Sequence, residues 1–159
     1  MSVATIWVVV EPANGSLTST SLELLTHARS LASSVSAITW GEGSTLAAQA
    51  GEYGATTLYD VGDLQGALPG VPVAAAIAQL VAGNSPDAIL IPTSYDGRDI
   101  AGHNVACIHG NLLDLTPLYT MVPCRGTALI WIRGDRPAIP CFTLNQRPSA
   151  WNAGLPCKG

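Results

Sequence analysis

The segment Ala4-Thr5-Ile6-Trp7-Val8-Val9-Val10-Glu11-Pro12-Ala13-Asn14-Gly15 decides the fold. Seven residues rich in β-branched and aromatic side chains read as a strand, and the continuous apolar run Ile6–Val10 reads as one buried on both faces. Glu11-Pro12 ends it, and Asn14-Gly15 supplies turn chemistry, since both residues tolerate positive φ. Immediately afterwards the period changes. Thr20-Ser21-Leu22-Glu23 matches a capping box, a hydroxyl followed three residues later by a carboxylate. Leu24, Leu25, Ala28, Leu31 and Ala32 then fall on one helical face. A buried strand, a turn and an amphipathic helix form the first half of a βαβ unit.

Working outward, the same rhythm repeats. Val35–Trp40 reads as a second strand closed by Gly41-Glu42-Gly43. Ser44 is placed to cap a short helix through Leu46, Ala47 and Ala50, with Gly54 as its left-handed stop. Thr56–Tyr59 is a third strand. Val71–Val81 is an Ala-rich helix with Pro72 in its first turn, broken by Gly83-Asn84-Ser85-Pro86. Ala88–Ile91 is a fourth strand, and after a turn at Thr93–Gly97 the segment Arg98–Ile108 is read as a helix. Alternation of this kind predicts right-handed crossovers and a three-layer αβα fold around a mainly parallel sheet. Beyond residue 103 the pattern loosens, and Leu112–Leu118, Thr127–Ile132 and Ile139–Leu144 read as three strands without helices between them.

Composition narrows the functional class. Of 159 residues, 48% are hydrophobic and 11% charged, with a formal net charge of −4. Such a chain forms a core without staples. It carries no basic stripe, which argues against nucleic acid. No apolar run reaches the length of a membrane span, and the N-terminus reads as a strand and not as a secretory signal, so a cytoplasmic location is expected. Cys107, Cys124, Cys141 and Cys157 include no CxxC pair, and no metal site is expected.

In open parallel sheets, ligands sit beyond the carboxyl ends of the strands. Glu11-Pro12-Ala13-Asn14-Gly15 lacks both the GxGxxG fingerprint and the P-loop Gly-Lys-Ser/Thr, and reads as a connecting turn. For Thr93-Ser94-Tyr95-Asp96-Gly97-Arg98-Asp99-Ile100-Ala101-Gly102 two readings stand. Its hydroxyls, glycine and arginine at a helix start suit an anion. Equally, Ser94 or Asp96 caps the helix, Gly97 makes the turn and Gly102 permits close packing. No catalytic set is visible: there is no Gly-x-Ser-x-Gly elbow, and His27, mid-helix beside Arg29, reads as a solvated residue.

Several of these stretches resemble one family. Trp7-Val8-Val9-Val10-Glu11, Gly15-Ser16-Leu17, Leu22-Glu23-Leu24-Leu25-Thr26, Tyr53-Gly54-Ala55 and Pro86–Ser94 are similar, in order and spacing, to the N-terminal domain of electron-transfer flavoprotein alpha subunits. Gly97-Arg98-Asp99-Ile100-Ala101-Gly102 is the most specific. Residues 103–159 depart from the family pattern: His103-Asn104-Val105-Ala106-Cys107 stands where an Arg-rich helix is expected. The resemblance implies an α/β domain over residues 1–145 and a connector over 146–159. It also implies an electron carrier, not an enzyme, whose FAD is held mainly by a further domain beyond residue 159. No FAD-binding, catalytic or metal-binding residue is therefore assigned to this chain. The implied partners are a beta subunit and, for the complete heterodimer, acyl-CoA-type dehydrogenases and an electron acceptor. Thr93, Ser94, Gly97 and Arg98 are the candidate partner-interface residues. The competing expectation is a stand-alone nucleotide-binding module of universal-stress-like type.

Overall fold

The computed structural model describes residues 3–107, 110–114 and 128–133, with side chains over residues 4–104. Strand β1 (Val3–Val9) is followed by a two-residue hairpin, β2 (Pro12–Ala13) and β3 (Ser16–Leu17), and then helix α1 (Ser19–Leu31). Next come β4 (Ala32–Thr39), α2 (Gly43–Glu52), β5 (Thr57–Asp60), α3 (Gly70–Asn84), β6 (Ala88–Pro92) and α4 (Tyr95–Cys107). Strands β7 (Gly110–Asp114) and β8 (Ala128–Arg133) complete the described elements.

The main sheet has the order β5-β4-β1-β6-β8-β7. β4, β5 and β6 run parallel to β1, as the alternation predicts, whereas β8 pairs antiparallel with both β6 and β7. That change of direction accompanies the loss of strand–helix rhythm after residue 103. The third late strand read at Ile139–Leu144 and the boundary at residues 145/146 lie outside the described residues. So do Cys124, Cys141 and Cys157.

Strand β1 explains the layering. Its side chains alternate, so Ile6, Val8 and Val10 meet Leu24, Leu25, Ala28, Leu46 and Ala50 of α1 and α2. Trp7 and Val9 face the other way, toward Val73 and Ile77 of α3 and Ile100 and Ala101 of α4. Burial on both faces is why this run shows no polar alternation. Trp7 also meets the ring of Tyr59, with centroids 5.5 Å apart. At the opposite edge, Asp87 accepts from the N–H groups of Ala4 and Thr5, both at 3.0 Å, and aligns the starts of β1 and β6.

Several local expectations are corrected. Helix α1 begins at Ser19, one residue before the Thr20 of the capping box. Its cap is Thr18, whose hydroxyl accepts from Ser21 N–H. Thr18 wins because the hairpin at Asn14-Gly15 (φ 51° and 79°) is so tight that the chain turns into the helix early. Ala32 is not helical. It opens β4 directly, because its extended backbone is held in register with Val3 of β1. Ser44 lies inside α2, whose N-terminal amide at Gly43 is capped from a distance by Asp60 Oδ2 at 3.1 Å. Gly54 does take positive φ (108°) after α2. Helix α4 starts at Tyr95, three residues before the Arg98 expected from sequence, because Ser94 caps it.

Candidate functional site: the switch point at the carboxyl edge

From β1 the chain moves outward through β4 to β5, then crosses back behind β1 to form β6. The direction of winding reverses between β1 and β6, and the crevice beyond their carboxyl ends is where such sheets hold ligands. Glu11 follows β1, and Thr93-Ser94 follow β6. The two loops that the sequence presents separately therefore meet at one place.

They meet through side chains. Ser94 Oγ donates to Glu11 Oε1 and accepts from Gly97 N–H at 2.9 Å. Ser94 N-caps α4, while Asp96 lies within the first turn instead of capping it. The backbone of Glu11 is fixed from the other side: its N–H donates to Ser21 Oγ at 2.8 Å and its carbonyl accepts from Thr18 N–H at 3.1 Å. Burial pushes the Glu11 carboxyl above its ordinary range. The Ser94 hydroxyl opposes this, neighbouring Asp96 adds to it, and the Gly97 amide opposes it.

Gly97 is buried within α4. A Cβ there would lie 1.9 Å from the carbonyl oxygen of Pro92, so a bare glycine lets α4 start directly against the end of β6. Gly102 does not share this role. It is exposed, and nothing lies within 4 Å of the place its Cβ would take. Thr93 and Ser94 are half-buried and Arg98 is exposed. Among the described residues Arg98 forms no ion pair; the neighbouring pair is His103 with Asp99, at 3.5 Å.

Three of the four described helix starts have an amide hydrogen-bonded to a side-chain oxygen of the chain itself. Thr18 serves α1, Asp60 serves α2, and Ser94 with Glu11 serves α4. At α3 no side chain caps the helix; Asp99 packs against Gly70, its Oδ2 1.8 Å from the place a Cβ there would take. Free N-terminal amides attract phosphate. At the switch point the amide of α4 faces the Ser94 hydroxyl with the Glu11 carboxylate beside it, and that carboxylate repels a second anion. These residues do not fit the pyrophosphate of FAD or the phosphates of a mononucleotide.

The rest of the described surface offers no competing chemistry. A shallow depression along the outer side of α1 is lined by Ser19, Leu22, Glu23, Thr26, His27, Ser30 and Tyr53. His27 is half-buried there, not fully solvated, and burial lowers its pKa. Among the described residues no group of His, Cys, Asp and Glu could hold a metal, and no helix is long and apolar enough to cross a membrane. Sequence reading missed Glu11 and Asp60 as site residues. For Asp60, a carboxylate at the end of a strand, with a Gly at the start of the preceding helix, was the available signal.

Fold and edge together define a doubly wound α/β domain whose switch point is closed by its own side chains. Residues 6–109 match the electron transfer flavoprotein domain family, and the chain belongs to it. A stretch of 99 residues is 31% identical to the electron transfer flavoprotein subunit alpha of Syntrophomonas wolfei subsp. wolfei (strain DSM 2245B / Goettingen). That stretch covers 60% of this chain and 31% of that subunit, so the similarity spans about a third of the relative. The resemblance to an alpha-subunit N-terminal domain is borne out.

Proposed function

We propose that this chain acts as the scaffold domain of an alpha-type electron transfer flavoprotein subunit, pairing in the cytoplasm with a beta subunit. The complete heterodimer carries electrons on FAD from acyl-CoA-type dehydrogenases to an acceptor. The FAD is held by other parts of the assembly, and this domain supplies a rigid surface, with Arg98 at the exposed start of α4 and Thr93 and Ser94 behind it.

The observation that carries this reading is the closure of the switch point by Glu11 and Ser94. A nucleotide-binding module needs its helix amides free at the switch point, and here the Gly97 amide of α4 meets the Ser94 hydroxyl. Family membership supplies the electron-transfer context.

The test is calorimetric. The purified chain is titrated with AMP, ATP, FAD and purified beta subunit. The expected outcome is saturable binding of the beta subunit and no saturable nucleotide or flavin binding in the micromolar range, an affinity worth roughly 8 kcal/mol. Stoichiometric nucleotide binding by the wild-type chain would overturn the scaffold reading in favour of a universal-stress-like module.

A further inference from the structure

Of the four large exposed apolar side chains among the described residues, Tyr53 follows α2 and the three most exposed gather at the starts of α3 and α4. Leu68 is 77% exposed, Val71 61% and Tyr95 93%. Leu68 and Val71 flank the start of α3, and Tyr95 opens α4. The contact of Gly70 with Asp99 brings these two helix starts together. Tyr95 stands one turn before Asp99 on the same side of α4, a separation of roughly 5–6 Å between Cβ atoms. Behind Val71, α3 carries no charged residue from Gly70 to Asn84. Its Ala75, Gln79 and Ala82 are exposed. Outer helices normally turn charge to water, and an uncharged outer face is the mark of a covered one.

Charge around the patch identifies what covers it. Asp63, Asp96 and Asp99 are exposed in the adjoining loop and helix, Asp99 with His103 3.5 Å away, and Arg98 is the one Lys or Arg among the described side chains there. A second copy of this chain would bring the same carboxylates edge to edge, which is unfavourable. A partner with an apolar pocket rimmed by Lys or Arg is complementary to both features.

We infer that Leu68, Val71 and Tyr95, continued along the uncharged outer face of α3, form the docking surface for a partner protein that presents an apolar pocket with a basic rim. This rests on the scaffold reading and locates the contact that reading requires. Tyr95 is the anchor: a large, exposed aromatic beside an arginine has the composition of an interface centre. Arg98 sits at its margin.

The experiment measures binding of the full chain to purified beta subunit by surface plasmon resonance at several salt concentrations. Wild type is compared with Leu68→Asp/Val71→Asp, with Tyr95→Ser, and with Glu23→Arg on the outer side of α1 as a control. Thermal melts of each variant verify folding; all the altered side chains are partly or fully exposed, so little stability is lost. The expected result is a loss of affinity of about tenfold or more for each patch variant, no change for Glu23→Arg, and an association rate that falls as salt rises. Wild-type binding that the patch variants leave unchanged, or a salt-independent association rate, overturns this inference and leaves the scaffold reading standing. No binding by the wild type removes the scaffold reading itself. A dimer in light scattering that Leu68→Asp/Val71→Asp converts to monomer assigns the patch to a second copy and also overturns it.

Discussion

Ser94 donates its hydroxyl hydrogen to the carboxylate of Glu11 across 83 positions of sequence, and in the same geometry caps helix α4 through Gly97 N–H. One hydroxyl thus joins the end of β1 to the start of α4 at the point where the sheet reverses its winding. Glu11 in turn is held by Ser21 and Thr18 at the start of α1. Two helices and two strands share this junction.

Ser94→Ala removes the cap and leaves a half-buried carboxylate without its hydroxyl donor. The expected loss is about 1–2 kcal/mol. Chemical denaturation with urea measures it, and the midpoint falls while the slope stays constant. Ser94→Thr keeps a hydroxyl and recovers most of the loss.

Glu11 makes stability depend on pH. Its folded-state pKa lies above the ordinary glutamate value of 4.5, because burial and Asp96 outweigh the help from Ser94 and Gly97. The folded protein therefore binds more protons than the unfolded chain in the window just above 4.5. Stability from this group is present at the acid end of that window and is lost as pH rises through the folded pKa. Glu11→Gln carries no such charge, and its amide oxygen still accepts from Ser94. The stability of Glu11→Gln relative to wild type should rise as pH increases through the window, measured by melting temperature at half-unit intervals. A difference constant with pH would show that Glu11 titrates alike in both states.

Gly97 and Gly102 lie in one helix and respond oppositely to alanine. Gly97→Ala places a Cβ against the Pro92 carbonyl, and the required shift of α4 costs about 3 kcal/mol or more. Gly102→Ala meets open space in a helix interior and stabilises by about 0.5–1 kcal/mol. Differential scanning calorimetry of the two variants distinguishes them by the sign of the change.

Asp87 is 6% exposed and serves two strand amides at the amino edge of the sheet. Asp87→Ala leaves the N–H groups of Ala4 and Thr5 without that acceptor, at a cost of about 2–3 kcal/mol. Hydrogen exchange at those two amides should accelerate well before global unfolding, since the loss is confined to the start of β1.

The sequence by itself determined the architecture. The run Ile6–Val10 announces a doubly buried strand, because a strand covered on both faces has no polar positions to alternate with. Asn14-Gly15 announces the hairpin, because few other pairs accept two positive φ values in succession. The regular exchange of strand and helix signals through Ile91 then leaves little choice but a parallel sheet between helices. Tertiary structure decided the site. Glu11 and Ser94 belong to separate loops, and their meeting follows from the crossover that sets β6 beside β1, a relation no local pattern encodes. Helix starts were decided the same way: Thr18 prevailed over Thr20, and Asp60 over Ser44, because an amide takes the acceptor that packing brings to it. Gly97 and Gly102 look alike in sequence. One abuts the carbonyl of Pro92 and the other faces open space, and the distance of a neighbour is a property of the fold alone.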